Sequence, residues 1–173
     1  MLHPSRVGCR NLKLRLLTRL GEHNRSVAQS EMNVTLACGT DELTIWFPAP
    51  DECVVSCMIE GLPQCRLLFR DADVLRGFQF CSDLKNLCPY ELAKLTVANH
   101  GLQVNAHLET TFDPSCDMGY IHLDNRGPAS VQRSIDCGTV ILDVGNDGAV
   151  IGIEVFSPTR ILPILVETHH KKT

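Results

Sequence analysis

Residues 141–156, ILDVGNDGAVIGIEVF, place two apolar segments on either side of the turn sequence Asn-Asp-Gly. Four residues of this stretch also match the EF-hand calcium loop: Asp143, Asp147, Gly148 and Glu154. An EF-hand needs a helix on each side and an oxygen ligand at its third position, but Gly145 has no side chain and the flanks are rich in β-branched residues. Asp-Gly turns are typical of tight hairpins. The stretch therefore predicts a β-hairpin instead of a calcium loop.

Alternation of apolar and polar residues predicts further strands around this hairpin. The segments VNAHLETTF, MGYIHLD and VQRSIDCGTVILDVG precede AVIGIEVF, and together they predict an antiparallel meander. Toward the N-terminus, NVTLAC and ELTIWF flank the turn GTDE and predict a second hairpin, and CVVSCMIE and CRLLFR predict two more strands. The single tryptophan, Trp46, is expected in the core.

Residues 83–100 carry leucines at helical spacing and end before Gly101, so they predict one or two helices. Pro89 divides the segment and is expected to start the second helix near Tyr90. The predicted fold class is α+β: mostly an antiparallel β-sheet of meander hairpins, with one or two helices around 83–100.

Four regions are expected along the chain: 1–31 as a basic N-terminal extension, 32–105 as a β-rich half with the helix, 106–162 as a β-meander module packed with it, and 163–173 as a polar tail. The extension holds six Lys or Arg against two Glu. Three interpretations of it stay open: a start codon chosen too early, a docked or frayed helix, and a basic targeting or membrane-surface arm.

The body of the chain is acidic, with eighteen Asp or Glu against ten Lys or Arg in residues 32–173. Binding of nucleic-acid phosphates needs clustered Lys and Arg, so a nucleic-acid surface is not expected there. No apolar run reaches the ~18 residues of a membrane helix, and the 44 % hydrophobic content is typical of a soluble globular protein. We therefore expect neither nucleic acid nor membrane among the partners.

Nine cysteines are many for 173 residues, but their number is odd and the N-terminal residues lack the apolar core of a signal peptide. We interpret them as reduced thiols of a cytoplasmic protein. Cys53 and Cys57, with Cys65 beyond, come closest to a metal-binding spacing, but C-x3-C without a second pair is not a zinc-finger pattern. Buried thiols that act as small hydrophobic groups are the favoured interpretation.

The C-terminal half contains two motifs in a fixed order. The first motif has Asp113, Asp117, Tyr120, Ile121 and Leu123, and the second has Asp143, Gly148, Gly152, Ile153, Glu154 and Val155. In this order and spacing, residues 108–158 resemble a small bacterial family called domain of unknown function 2283. Two departures, Phe112 for the usual Tyr and Cys116-Asp117-Met118 for the usual Ala-Asp-Ala, keep an apolar packing role. The resemblance implies a compact β-rich module and carries no activity, and residues 1–105 show no such resemblance.

Five carboxylates at the predicted turns and strands are candidate ligands of a divalent metal: Asp113, Asp117, Asp143, Asp147 and Glu154. Carboxylates at turns more commonly accept backbone N–H bonds, and this interpretation competes with the metal site. If Glu154 is buried, it needs a partner such as Arg133 or Arg160. No cofactor is expected.

Two histidines, His107 and His122, lie on neighbouring predicted strands. His122 with Asp124 and Tyr120 would make a polar cluster, whereas an exposed strand face explains both histidines without chemistry. The chain contains no G-x-S-x-G elbow, phosphate loop, dinucleotide fingerprint or HExxH motif, which favours a role other than catalysis.

The leading hypothesis is a small cytosolic β-rich protein that acts as a non-enzymatic binding or oligomerisation module. Its expected partner is a second copy of the chain, giving a homo-oligomer, or another protein. One alternative is a divalent-metal-dependent hydrolase that uses the five carboxylates. The other is an acidic immunity-type or decoy protein that blocks a basic partner.

Overall fold

The computed structural model describes residues 29–48, 50, 53–71 and 73–170. The predictions for residues 1–28 and for the last three residues lie outside this part of the chain. The strands within it are β1 Gln29–Cys38, β2 Leu43–Trp46, β3 Val55–Ile59, β4 Leu62–Arg70, β5 Val74–Phe80, β6 Gln103–Asp113, β7 Met118–His122, β8 Val131–Asp136, β9 Val140–Gly145 and β10 Val150–Phe156. The helices are α1 Leu84–Leu87, α2 Tyr90–Ala98, α3 Pro158–Ile161 and α4 Pro163–His170.

The strands join one antiparallel sheet in the order β3-β4-β5-β2-β1-β6-β7-β10-β9-β8. At its centre β1 pairs with β6, so that Met32 lies opposite Leu108. β3 and β8 are the edge strands of the described sheet. A mostly antiparallel sheet with a few helices is what the sequence predicted, and this coarse prediction is confirmed.

The sheet is strongly curled into a half-barrel. The short helix α3 contacts both β5 and β10, although five strand-to-strand steps separate these strands in the sheet. In a flat sheet five steps of about 4.8 Å would hold the strands about 24 Å apart. A helix is only about 10–12 Å wide with its side chains, so the sheet must bend around it.

The core lies on the concave face of this sheet. Along β1 every second residue is buried, including Met32, Val34 and Leu36, while the residues between them face outward. Phe78 and Phe80 add an edge-to-face aromatic pair with ring centroids 4.9 Å apart. Trp46, expected in the core, is half-buried on the outward face, and its neighbour Phe47 is fully buried instead.

The two halves of the chain have the same topology. In the first repeat, residues 29–98, a hairpin β1–β2 is followed by the meander β3–β4–β5, and β5 returns to pair with β2. In the second repeat, residues 103–170, a hairpin β6–β7 is followed by the meander β8–β9–β10, and β10 returns to pair with β7. Two short helices end each repeat. The antiparallel β1–β6 pair relates the repeats by an approximate two-fold axis.

Individual backbone hydrogen bonds repeat as well. The bond from Phe47 N to Arg76 O, 2.7 Å, corresponds to the bond from Leu123 N to Ile151 O, 3.0 Å. The bonds from Cys81 N to Gln64 O and from Phe156 N to Thr139 O, 2.7 and 3.1 Å, are also equivalent. Before each helix pair one residue adopts the left-handed conformation, Asp83 with φ 54° and Ser157 with φ 52°. This duplication is not visible in the amino-acid sequence, because few of the equivalent residues are identical.

The connections differ from the predicted meander. β7 pairs with β10 and not with β8, because the following three strands fold back on themselves as a separate meander. VQRSIDCGTVILDVG forms two strands, β8 and β9, which turn at Cys137–Thr139. β5 was not predicted.

Residues 163–170, expected at the start of a polar tail, form α4. Leu165 is fully buried, and Thr110 Oγ1 lies 3.2 Å from Nε2 of the buried His169. Ser30 Oγ donates a hydrogen bond of 3.2 Å to the Thr168 carbonyl. The apolar run before the histidines covers the central strands β1 and β6, and this burial holds the segment in place.

Candidate functional site

The stretch that resembled a calcium loop is the β9–β10 hairpin. Val144 lies opposite Val150, and Gly145 N donates to the Ala149 carbonyl at 2.8 Å. Gly148 has φ +85°, a conformation that favours glycine at this turn. Asp147 Oδ1 accepts a bond of 3.2 Å from Ala149 N. The hairpin prediction is confirmed, and strands stand where an EF-hand needs helices.

Asp113 and Asp117 lie at the turn between β6 and β7, and both carboxylates accept hydrogen bonds there. Asp113 Oδ1 accepts hydrogen bonds from Ser115 N at 2.8 Å and from Ser115 Oγ at 2.6 Å. Asp117 has φ 50° and accepts a bond of 2.6 Å from Thr159 Oγ1 and a longer one of 3.3 Å from Thr159 N. The first carboxylate therefore stabilises its own turn, and the second ties this turn to α3.

Asp143 is at the centre of a polar network on the outward face of the second repeat. It is only 5 % exposed, and it accepts hydrogen bonds from Tyr120 Oη at 3.1 Å and from Ser134 Oγ at 2.5 Å. Burial, together with the neighbouring Asp143, raises the pKa of Tyr120. The phenol therefore stays protonated and acts as a hydrogen-bond donor. The network connects β7, β8 and β9 across the outward face.

Gly152 makes room for this network. It lies in β10 opposite His122, directly after the bulge at Ile151. A Cβ atom at Gly152 would overlap the phenol ring of Tyr120. The absence of a side chain thus leaves space for the Tyr120 ring over Gly152, and the Tyr120 hydroxyl reaches Asp143 on the next strand. A bulge or close backbone approach at Gly152 is what the sequence predicted.

Glu154 lies on the same outward face and is also 5 % exposed. Its negative charge contributes to the raised pKa of Tyr120, so Asp143 and Glu154 both act on this phenol. The structure brings these two of the five candidate carboxylates to one side-chain cluster. The pairing of Glu154 with Arg133 or Arg160 stays a prediction.

His122 lies beside Tyr120, with ring centroids 4.7 Å apart. Burial lowers its pKa, while the carboxylates of Glu109 and Asp124 act in the opposite direction. Its Nε2 is buried without a hydrogen-bond partner among the described residues. Ser134 donates its hydroxyl hydrogen bond to Asp143, so the histidine does not activate this serine through Nε2.

Arg126 links Asp147 to the loop after β7. Its Nη1 donates a bond of 2.8 Å to Asp147 Oδ2, and its Nε donates to Asp124. The hydrogen bond from Arg126 lowers the pKa of Asp147. Asp147, the fourth candidate carboxylate, is therefore paired with an arginine.

The five candidate carboxylates thus have different partners. Within residues 29–170, apart from the four positions not described, no group of three or more His, Cys, Asp or Glu side chains could hold a metal ion. Three of the five, Asp113, Asp117 and Asp147, accept backbone N–H bonds, which is the role that the competing interpretation assigned to them. Asp143 instead accepts hydrogen bonds from two side-chain hydroxyl groups.

The described part of the chain contains eight cysteines, spread over both repeats. Cys53, Cys57 and Cys116 are exposed, which differs from the expectation of buried thiols. Burial raises the pKa of Cys65 and of Cys88 to about 12, which makes these two thiols poor nucleophiles. They are core residues, as the sequence analysis favoured.

The two edge strands differ in charge at equivalent positions. Val55 on β3 lies opposite Phe69, and Arg133 on β8 lies opposite Val144, which occupies the position of Phe69 in its repeat. In the same way Met58 corresponds to Asp136. Val55 is 60 % and Met58 is 74 % exposed, and Arg133 and Asp136 are exposed too.

The whole of β3, Val55–Ile59, contains neither a charged residue nor proline. Natural sheets commonly protect their edges with charged side chains, as β8 does with Arg133 and Asp136. We call the open side of Val55–Ile59 the β3 edge. The uncharged run VSCMI is visible in the sequence, but its position at the edge of the sheet follows only from the strand order.

Comparison with models of protein families, with curated proteins and with solved structures gives no match. The resemblance of residues 108–158 to domain of unknown function 2283 therefore stays a prediction. In the part of the chain that the structure describes, no helix has the length and apolar character needed to cross a membrane.

Proposed function

We propose that this chain is a non-enzymatic binding module that recruits an extended strand of a protein partner to the β3 edge. The observation that carries the proposal is the uncharged strand Val55–Ile59 at the end of the described sheet, whose residues 55–58 are exposed. An edge strand presents backbone N–H and C=O groups that a further strand can pair with. Main-chain hydrogen bonds then give affinity, and alternate side chains give specificity.

The difference between the edges supports this choice of surface. β8 has charged side chains at the two positions where β3 has Val55 and Met58. Pairing a new strand with β8 would remove water from Arg133 and Asp136, which is unfavourable without new partners. Pairing at β3 instead covers an exposed valine and methionine, which is favourable.

The chemistry of the partner follows from the two faces of β3. Val55 and Cys57 lie on the face that continues the core, opposite the buried Phe69 and Leu67, and Ser56 and Met58 lie on the outward face. We expect a partner strand with apolar residues on one face and small polar or apolar residues on the other. A charged strand would lose hydration without finding an ion pair on β3.

Selection of short random peptides displayed on phage, with the full chain immobilised, tests the proposal. The matched control is the double variant Val55→Arg, Met58→Asp, which gives β3 the charges of β8 and leaves the core unchanged. We expect uncharged, β-branched peptides to be enriched on the unchanged chain and lost on the variant. Enriched peptides should also slow amide hydrogen exchange in Val55–Ile59.

Two results would count against the proposal. One is enrichment of peptides that bind the double variant equally well, since these would recognise another surface. The other is protection of amides on β8 instead of β3. The reciprocal variant Arg133→Val, Asp136→Met is a positive control, because it should turn β8 into a second binding edge.

A further inference from the structure

We infer that the strand that pairs with the β3 edge is β3 of a second copy of this chain, which gives a two-fold symmetric dimer with one continuous sheet. This inference rests on the function proposed above and names the partner. The proposed partner strand is extended and uncharged with an apolar face, and Val55–Ile59 itself meets this description. Most oligomers of soluble proteins are symmetric, and two-fold dimers are the commonest.

The absence of charge makes β3 complementary to itself. In a two-fold antiparallel pair residue i of one strand lies opposite residue j of the other, and residue j lies opposite residue i. A β3–β3 pair therefore removes water from no charged side chain of the two strands, whatever its register. A β8–β8 pair would bring Arg133 and Asp136 of both copies into the contact, where charged groups lose hydration. Charge thus favours a β3–β3 contact over a β8–β8 contact.

The chain already contains a junction of this kind. At the centre of the sheet β1 and β6 pair in antiparallel fashion about an approximate two-fold axis, with buried Met32 opposite buried Leu108. A β3–β3 pair would repeat this arrangement between two chains. The concave faces of both copies would then lie on the same side, and the two exposed Val55 side chains would each gain an apolar neighbour.

The register that pairs all five residues places Cys57 opposite Cys57 of the second copy. Directly opposed residues of an antiparallel pair have Cβ atoms about 4.5–5.5 Å apart. Cys57 is an exposed free thiol, so it reports on this register directly. A five-residue strand buries less area than the ~1,600 Å² of a standard interface, so we expect a dimer that forms only at high protein concentration.

Light scattering on the full chain over a range of concentrations tests the dimer. We expect the mean mass to rise from that of one chain, 19.2 kDa, toward twice this value. The double variant Val55→Arg, Met58→Asp should stay at the mass of one chain. Both replaced residues are exposed, and far-ultraviolet circular dichroism checks that the variant keeps the fold of the unchanged chain.

Cross-linking tests the register. The background is the full chain with Cys9, Cys53 and Cys116 replaced by serine, which leaves Cys57 as the exposed thiol among the described residues. A short bismaleimide should join two copies through Cys57, and Cys57→Ser should abolish the product. Adding Val55→Arg and Met58→Asp to the cross-linkable background should abolish it as well.

The outcomes separate this inference from the proposed function. A chain that remains a monomer but binds selected peptides at Val55–Ile59 overturns the inference and leaves the function standing. A chain that remains a monomer and binds no peptide at Val55–Ile59 contradicts both the inference and the proposed function. A dimer that persists in the double variant, or that cross-links without Cys57, overturns the β3–β3 contact. Species larger than a dimer would indicate a head-to-tail contact, which also contradicts the inference.

Discussion

On the outward faces of the two repeats, different side chains surround the same backbone feature. Each repeat has a bulge followed by a glycine, Gly77 in β5 and Gly152 in β10. In the first repeat Leu68 and Trp46 surround the glycine. In the second repeat Tyr120 covers it and donates a hydrogen bond to Asp143, which occupies the position of Leu68. The backbone geometry is kept while the side chains change from apolar to polar.

The two repeats together indicate that Asp143 has a structural role in the second repeat. The first repeat shows that the fold does not require a carboxylate at the position of Asp143, because Leu68 is buried there. The second repeat shows that a buried carboxylate is tolerated when two hydroxyl groups donate to it. Comparison of the repeats thus identifies which polar contacts can be exchanged for apolar ones.

Alanine at the two glycines should have the largest effects, and the two effects should differ. A Cβ atom at Gly77 would lie 2.6 Å from the Ile45 carbonyl oxygen, which is backbone and cannot move away. At Gly152 it would meet the Tyr120 ring, which can rotate. Overpacking typically lowers the free energy of unfolding by about 1–3 kcal/mol, and we expect Gly77→Ala to lie at the top of this range or above it. Urea unfolding of both variants measures the difference.

A second variant locates the cause at Gly152. Tyr120→Thr introduces the residue that the first repeat has at the equivalent position, Thr44. In the Tyr120→Thr background, Gly152→Ala should destabilise the protein less than it does in the unchanged chain, because the ring is gone. Equal losses in both backgrounds would show that Tyr120 is not the obstacle.

Removal of the Tyr120 hydroxyl should have the next largest effect. Tyr120→Phe leaves one acceptor site of the buried Asp143 without its donor, and this typically lowers the free energy of unfolding by about 1–3 kcal/mol. Asp143→Leu alone introduces the side chain of Leu68 but leaves the tyrosine hydroxyl unsatisfied. The double variant should lose less than the sum of the single variants. Additive losses in urea unfolding would contradict the contact.

The pH dependence of stability should depend on His122. Burial lowers its pKa in the folded protein below the usual 6.5, so below this pH the unfolded chain binds more protons than the folded one. The free energy of unfolding should therefore decrease as the pH falls through 6.5 toward the folded pKa. Above pH 6.5 both states are neutral at this residue, and its contribution is fully present.

The variant His122→Phe should flatten the pH dependence in this window. The first repeat has Trp46, which does not titrate, at the equivalent position, so Trp46→Phe is the matched control and should leave the slope unchanged. Thermal unfolding between pH 5 and 8 measures both slopes. An unchanged slope in His122→Phe would assign the titration to another group.

The smallest effect is expected at the ion pair between Arg126 and Asp147. This pair is partly exposed, with 33 % and 57 % of the two side chains accessible to solvent. Such pairs contribute about 0–1 kcal/mol, so Asp147→Asn, which leaves the bond from Arg126 to Asp124 in place, should lower the free energy of unfolding by no more than this amount. High salt should reduce the difference further. A loss larger than that of Tyr120→Phe would mean that the Asp147 carboxylate also stabilises the β9–β10 turn.

The sequence predicted local structure better than connectivity. Strands with one buried face, such as β1, and the helix divided at Pro89 follow from periodicity and turn residues, and both were found. The return of β5 to β2 and of β10 to β7 was not predicted, because strand partners depend on tertiary packing that a local pattern does not contain. The duplication was missed for a related reason. Equivalent positions such as Leu68 and Asp143 share a backbone environment and not a residue type.

The candidate site was predicted in part. The turn role of Asp113 and the space at Gly152 could be inferred from the residues alone. The sequence did not indicate that Asp143 would be buried beneath Tyr120, because neighbouring strands bring together residues that are distant along the chain. The β3 edge could not be recognised as an edge before the strand order was known.

The central β1–β6 pair also bears on how the chain is made. Met32 cannot meet Leu108 until the ribosome has added the whole first repeat and the start of the second. At synthesis rates of about 5–20 residues per second, the side of β1 that pairs with β6 stays without its partner strand for a period on the order of several seconds. During translation the nascent first repeat therefore has two unpaired edge strands, β3 and β1. Chaperones, or the same strand of a neighbouring nascent chain, would bind at the β1 edge before β6 pairs with it.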